Sequence, residues 1–283
     1  MRLVASDLDG TIVRRDGSIS RRTLAALAAC EEVGVAIVFV TGRPTRWMAP
    51  IAEATGNRGV AVCANGAVVY DLGSNRVVAT RALTADAVLR VAAALRVVLP
   101  EAVFALETTQ GYRREPDFLP HHEAAREAMA GSLPELLADD PVVLKVLCRV
   151  EDGTADRMLP LARPALRGVA EPVHSNGQGS MLEISALGVS KASTLASVAE
   201  ERSIVPADVV AFGDMPNDVP MLRWAGRGYA VADGHAEAIA AADEVAPPCA
   251  EDGVAQVLER LLSAMPRQHR PAPNQPARQS DRS

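Results

Sequence analysis

Two aspartates two residues apart, Asp7 and Asp9, follow the apolar run Leu3-Val4-Ala5 in the segment Ser6-Asp7-Leu8-Asp9-Gly10-Thr11. Strand alternation puts positions two apart on one side, and Gly10 lets the chain turn sharply. Carboxylates held this close lose solvation and repel each other unless a cation or a shared proton offsets the cost. Such a pair can divide a reaction, one acid attacking an electrophile while the other moves protons. Taken alone, the segment reads equally well as a strand-end turn with two solvated acids.

Three more clusters have complementary chemistry. In Val40-Thr41-Gly42-Arg43-Pro44 a hydroxyl and a glycine follow a buried strand, and Pro44 suits the first turn of a helix. Hydroxyls and backbone N–H groups at such a place bind phosphate; an ordinary N-cap threonine is the alternative. Lys191 follows Ser190, a predicted N-cap, so its cation falls where the helix dipole is already positive. That placement makes sense if the ammonium faces an anion; a solvated lysine is the plain alternative. Lys145 and Lys191 are the only lysines among many arginines, which suggests that a compact ammonium is required at 191. In Gly213-Asp214-Met215-Pro216-Asn217-Asp218, Asp214 and Asp218 can share a helix face. Hard oxygen ligands at a strand end suit Mg²⁺, although an acidic first helical turn needs no metal.

The elements that must position these residues alternate along the chain. Strands are predicted over Leu3–Ser6, Val35–Val40, Gly59–Val62, Asp208–Phe212 and Gly228–Ala232. Helices are predicted over Ser20–Val33, Ser190–Glu201, Asn217–Trp224, His235–Ala242 and Gly253–Met265, with Gly34 stopping the first. Ala67–Tyr70 and Arg76–Ala79 flank Gly73-Ser74-Asn75 as a hairpin. Between these halves lie predicted helices over Thr84–Leu99, Pro120–Ala130 and Gly153–Leu166. Strands are predicted there over Ala102–Thr108, Pro141–Val150, Val169–His174 and Met181–Ser185. The expectation is α/β: a doubly wound, parallel-sheet, Rossmann-like core from residues 1–81 and 187–265, interrupted by an α+β domain over 82–186. Each cluster then follows a strand or opens a helix, so all can converge on one sheet edge.

Composition narrows the partners. The 283 residues are 48% apolar with 3% aromatics, which fits a globular chain long enough for two domains. A net charge of -6 argues against nucleic acid. No apolar run reaches the ~18 residues of a membrane span. Four scattered cysteines suit a reducing cytoplasm, and the N-terminus leads straight into a strand rather than reading as a signal peptide. Residues 266–283, rich in Pro, Gln and Arg, are expected to be a disordered tail.

Together the four clusters resemble the ordered motifs of the haloacid dehalogenase-like hydrolase superfamily. Cys63-Ala64-Asn65-Gly66-Ala67, Glu183-Ile184 before Gly188-Val189-Ser190-Lys191, Met221-Leu222 and Glu251-Asp252-Gly253-Val254-Ala255 narrow the resemblance to Cof-type phosphatases with a large inserted cap. The resemblance implies an aspartyl-phosphate on the nucleophile Asp7, with Asp9 as acid and then base. It implies that Thr41, Gly42, Lys191, Asn217 and the Leu8 backbone hold the phosphoryl oxygens. Mg²⁺ would lie on Asp7, the Asp9 carbonyl and Asp214, supported by Asp218. Asp233-Gly234-His235-Ala236 departs from the Asn-Ala pair common in that family. The function expected is Mg²⁺-dependent hydrolysis of a small phosphorylated metabolite, a sugar phosphate or similar; phosphotransfer between sugars and non-catalytic ligand binding are the alternatives. Substrate choice is assigned to the cap, with Arg43 and the loop 174–180, including His174 and Asn176, reaching the site. His121-His122-Glu123 reads as a solvated helix start, and Gly177-Gln178-Gly179 lacks the strand-to-helix setting of a dinucleotide loop.

Overall fold

A computed structural model describes residues 1–119 and 127–265. The first strands are β1 (Leu3–Ser6), β2 (Ala36–Val40), β3 (Val60–Cys63), β4 (Val68–Asp71) and β5 (Arg76–Thr80). Then come β6 (Val103–Thr108), β7 (Gly111–Arg114), β8 (Met129–Ala130), β9 (Val143–Arg149), β10 (Ala170–Val173) and β11 (Met181–Ala186). The last are β12 (Val209–Gly213), β13 (Arg227–Val231) and β14 (Glu244–Ala246). One sheet runs β14-β13-β12-β1-β2-β3-β4-β5, parallel from β14 to β3 and closed by an antiparallel meander. The other runs β10-β11-β9-β6-β7-β8 and is mostly antiparallel. Its strands fall between β5 and β12 in the chain, so the α/β core with an inserted α+β layer is observed.

The strands β1 and β12 are buried along their whole length, as expected of parallel strands covered on both faces. Helices α1 (Arg21–Glu32) and α9 (Gly253–Ser263) pack on one face, with Leu27 and Leu258 against Val4 and Phe212. Helices α6 (Lys191–Glu201), α7 (Val219–Trp224) and α8 (Ala236–Ala241) cover the other, where Leu195 and Met221 join Leu3 and Ala211. The inserted sheet has its own core: Phe104, Val146 and Ile184 bury against Val91 of α3 (Ala85–Val98) and Leu159 of α5 (Ala155–Ala165). Strand alternation sends Val146 and Cys148 into that core, leaving Lys145, Leu147 and Arg149 on the opposite face.

Several elements differ from the sequence reading. Of the helix predicted over Pro120–Ala130, residues 120–126 lie outside the described residues, as do His121-His122-Glu123 and the tail 266–283. The remainder is not helical, because Met129 and Ala130 pair with Arg113 and Arg114 of β7. Sheet pairing here overrides a helix-favouring Ala/Glu composition. Pro44 does not open a helix; it is extended, with ψ 160, and precedes a single turn over Thr45–Trp47. The short helices α2 (Ala49–Ala54) and α4 (Leu133–Leu136), and the strands β7 and β14, were not expected.

Candidate active site

Because β12, β1 and β2 are neighbours, Asp214, Asp7 and Thr41 leave the sheet side by side at its carboxyl edge. Helix α6 delivers Lys191 to the same edge. Its Ser190 N-cap accepts from the Ser193 N–H, making Lys191 the first helical residue. The helix can approach because residue 66 is glycine: its φ is +109°, and a Cβ there would meet the Ser190 carbonyl at 2.3 Å.

Lys191 Nζ donates to Asp7 Oδ1 at 2.5 Å and to Asp218 Oδ1 at 2.7 Å, and its side chain is 1% exposed. Burial pulls its pKa down, but Asp218 and Asp7 outweigh that and raise it. The other Asp218 oxygen accepts from the backbone N–H groups of Asp214 and Met215 at 3.1 and 3.0 Å. Asp218 therefore ties the lysine to the turn that carries Asp214. Asp214 also accepts from Thr11 Oγ1 at 3.2 Å, and its carbonyl accepts from the His235 N–H at 2.6 Å. The unusual Asp233–His235 turn thus braces Asp214 from behind.

The acids are crowded. Burial pushes Asp7 up to about 7 against the pull of Lys191, and Asp218 adds to the rise. Burial, then Asp7 and Asp218, push Asp214 up to about 9. One ligand oxygen from each of Asp7, Asp214 and Asp218 falls within 4.8 Å of the others. An all-carboxylate donor set suits a hard divalent cation. Such an ion would also offset the burial and repulsion that lift both pKa values, so the residues fit a metal.

Asp9 is turned away from this cluster. It is 57% exposed and bidentate with Arg43, whose Nε and Nη2 donate at 2.7 and 2.5 Å. Thr41 is buried and accepts from the Arg43 N–H at 3.0 Å. The Leu8 side chain is core, and its carbonyl accepts from the N–H groups of Thr11, Ile12 and Val13. Asn217 donates to Asn65 at 3.1 Å, while its own Oδ1 is buried without a partner among the described residues.

A cavity of about 1110 Å³ opens above this floor. Asp7, Asp9, Thr41, Gly42, Arg43, Lys191, Asp214 and Asn217 all line it. Its opposite wall comes from the inserted sheet: Glu107, Tyr112, Lys145, Leu147, Arg149 and Glu183. The wall holds the floor directly. Lys145 Nζ donates to the Gly42 carbonyl at 2.9 Å and also pairs with Glu183. Glu183 accepts from Asn65 Nδ2 at 3.0 Å and from Ser175 Oγ at 2.6 Å. Burial raises the Glu183 pKa, but Lys145, with Ser175 and Lys191, outweighs it and lowers the value. Arg46 reaches from the core to a bidentate pair with Glu107.

Of the loop expected to read substrate, Ser175 reaches the cavity but His174 and Asn176 do not line it. His174 is buried, 3.1 Å from Asp156, which also meets His235 at 3.2 Å. Asn176 caps its own turn, accepting from the Gly179 N–H at 3.1 Å. Residues in an extended segment alternate sides, so only every second one faces the cavity. Reading the sequence residue by residue missed Arg46, Glu107, Lys145 and Arg149. The scarcity of lysine was the available signal for Lys145, since both lysines of the chain line this cavity.

A model of the haloacid dehalogenase-like hydrolase family matches residues 4–258. The 5-amino-6-(5-phospho-D-ribitylamino)uracil phosphatase YcsE of Bacillus subtilis is 27% identical, covering 93% of this chain and 96% of its own. A phosphoglycolate phosphatase of Natronomonas pharaonis is 27% identical, with coverages of 91% and 96%. The fold matches that of a haloacid dehalogenase-like hydrolase from B. subtilis with a TM-score of 0.77 at 22% identity, over 92% of this chain and 100% of that one. The chain belongs to the haloacid dehalogenase-like hydrolases, among the phosphatases of that family. Among the described residues, no helix is long and apolar enough to cross a membrane.

Proposed function

We propose that this chain is a Mg²⁺-dependent phosphatase that hydrolyses a small phosphorylated metabolite, a sugar phosphate or similar, through an aspartyl-phosphate on Asp7. The observation that carries the reading is the buried Lys191 bridge between Asp7 and Asp218 on the cavity floor. A cation paired with a nucleophile at a strand end neutralises charge where phosphoryl transfer needs it.

An Asp7 carboxylate oxygen attacks phosphorus, the ester P–O bond breaks, and Asp9 gives its proton to the departing alcohol. Asp9 then takes a proton from water, which attacks the phosphorus, releases inorganic phosphate and restores the Asp7 carboxylate. Asp9 must leave Arg43 to do this, so Arg43 positions it between turnovers. Thr41, Gly42, Lys191, Asn217 and the Leu8 backbone hold the phosphoryl oxygens. Asp7, the Asp9 carbonyl and Asp214 would hold the metal, with Asp218 supporting. When bound, Mg²⁺ supplies positive charge to the phosphoryl oxygens and aligns the attack.

Residues 1–81 and 187–265 form the catalytic body, and 82–186 form a cap that sets specificity and water access. The cytoplasm is the compartment proposed, because Cys30, Cys63, Cys148 and Cys249 are all free and buried. The two named relatives act on different phosphorylated metabolites, which supports a small phosphate ester here without choosing between them. The test is phosphate release from a panel of sugar phosphates, phosphoglycerates, nucleotides and pyridoxal phosphate, with Mg²⁺ and with chelator. Release that requires Mg²⁺ and vanishes in Asp7→Asn is expected. Metal-independent release, or turnover retained by Asp7→Asn, would overturn the assignment.

A further inference from the structure

The cations of the cavity wall and floor are paired with acids, with one exception. Arg43 meets Asp9, Arg46 meets Glu107, Lys145 meets Glu183, and Lys191 meets Asp7 and Asp218. Arg149 also lines the cavity, yet its contacts among the described residues are a carbonyl and a ring rather than a carboxylate. It is 8% exposed, it lies 4.3 Å over the Phe118 ring, and one Nη donates to the Leu119 carbonyl. Its Nε is buried with no hydrogen-bond partner among the described residues. Burial pushes its pKa down, and the Tyr112 phenol only partly offsets that. A buried guanidinium without an acid partner among the described residues is expensive, and its position on the cavity lets a bound oxyanion supply that partner.

Position defines what that counter-ion is attached to. Lys145 and Arg149 share one face of β9 with Leu147 between them. Lys145 bonds the Gly42 carbonyl of the proposed phosphate loop, and Arg149 lies four residues further on, roughly 13 Å along the strand. Leu147, Met181 and Tyr112 make the surroundings apolar. A planar fork in such a setting selects a carboxylate or a phosphate.

We propose that Arg149 is a specificity-determining residue that binds a second oxyanion on the leaving group, so that the preferred substrates are phosphate esters with a further carboxylate or phosphate about one hexose length away. The proposal rests on the phosphatase reading and names its substrate class.

Two matched pairs test it: 6-phosphogluconate against sorbitol 6-phosphate, and fructose 1,6-bisphosphate against fructose 6-phosphate, with p-nitrophenyl phosphate as reference. The wild type is expected to favour the oxyanion-bearing ester in at least one pair by about tenfold or more in kcat/KM, the worth of a charge-assisted hydrogen bond. The pair showing the preference tells carboxylate from phosphate. In Arg149→Met the ratio falls towards one through KM, and Arg149→Lys keeps part of it. Wild-type ratios near one in both pairs, no turnover of either oxyanion-bearing ester, or a ratio preserved in Arg149→Met would overturn the proposal. The wild-type ratios decide even where a variant fails to fold. Hydrolysis of p-nitrophenyl phosphate without any preference sinks the subsite alone; no Mg²⁺-dependent hydrolysis of any ester sinks the phosphatase reading with it.

Discussion

The floor and the wall of the cavity are built on different rules. The floor hangs from the ends of parallel strands, where the chain leaves the sheet and each side chain is placed by one turn. Asp7, Asp214 and Lys191 come from three segments far apart in sequence, yet the strand order β12-β1-β2 and one N-cap put Lys191 on Asp7 and bring Asp7 and Asp214 oxygens within 4.8 Å of each other. The wall is the open face of an antiparallel sheet, whose other face is packed on helices. Its cavity-facing residues are the ones that alternation leaves over: Lys145, Leu147 and Arg149 on β9, Met181 and Glu183 on β11. A strand-end site is tied to its turns and resists change. A sheet face can exchange every second residue without disturbing its core, so reaction type and substrate choice can vary separately.

The largest effect should come from the floor. Asp7→Asn is expected to lower phosphate release by about 10⁴-fold or more with the fold intact, as for loss of a nucleophile that acts as part of a unit; initial rates with Mg²⁺ and a thermal melt check both halves. Lys191→Met leaves Asp7 and Asp218 buried without their cation. Breaking such a buried pair costs about 3–5 kcal/mol, which urea unfolding in chelator would measure. If Mg²⁺ raises the melting temperature of the wild type, Asp214→Ala should abolish the rise.

Wall substitutions should be milder and should show in different observables. The Glu183 carboxyl lies below its ordinary range in the folded chain. Its contribution to stability is therefore complete above the unfolded value of about 4.5 and is lost as the pH falls through the lower folded value. Glu183→Gln should weaken the protein at pH 6 but flatten the acid side of the stability curve below about pH 4.5, as urea midpoints across the acid range would show. The smallest effect is expected at Asn176, which caps its own loop outside the cavity. Asn176→Ala should change stability by less than about 0.5 kcal/mol and leave the rank order of substrates unaltered; a reordered substrate panel would put this loop back in the site.

The same contrast decides what was legible in the sequence. Asp7, Asp9, Thr41, Lys191 and Asp214 each stand directly after an apolar strand or at a helix start, so a linear reading finds them. The Ser20, Thr84 and Ser190 caps are readable for the same reason, and the structure shows each one accepting from a backbone N–H three residues on. Lys145 and Arg149 sit inside one continuous strand, where nothing local separates a cavity-facing cation from a solvated one. Which face is packed depends on α3 and α5, which lie far away in sequence. Glu183 was visible only through the family resemblance. The strand β7, Gly-Tyr-Arg-Arg, lacks apolar alternation, and its pairing with β6 and β8 supplies what its composition does not.

Both lysine ammoniums of this chain face the same chamber, Lys191 on its floor and Lys145 on its wall. Ammonium chemistry is therefore a reporter of that chamber. Both side chains are buried and line the chamber, so an amine-acylating reagent is expected to reach them through the gap between the two sheets. The rate at which each lysine is modified, read by mass spectrometry, then times the parting of wall from floor. Lys145 should react before Lys191, since releasing it breaks its links to Glu183 and Gly42, whereas Lys191 must also abandon two carboxylates deep in the floor.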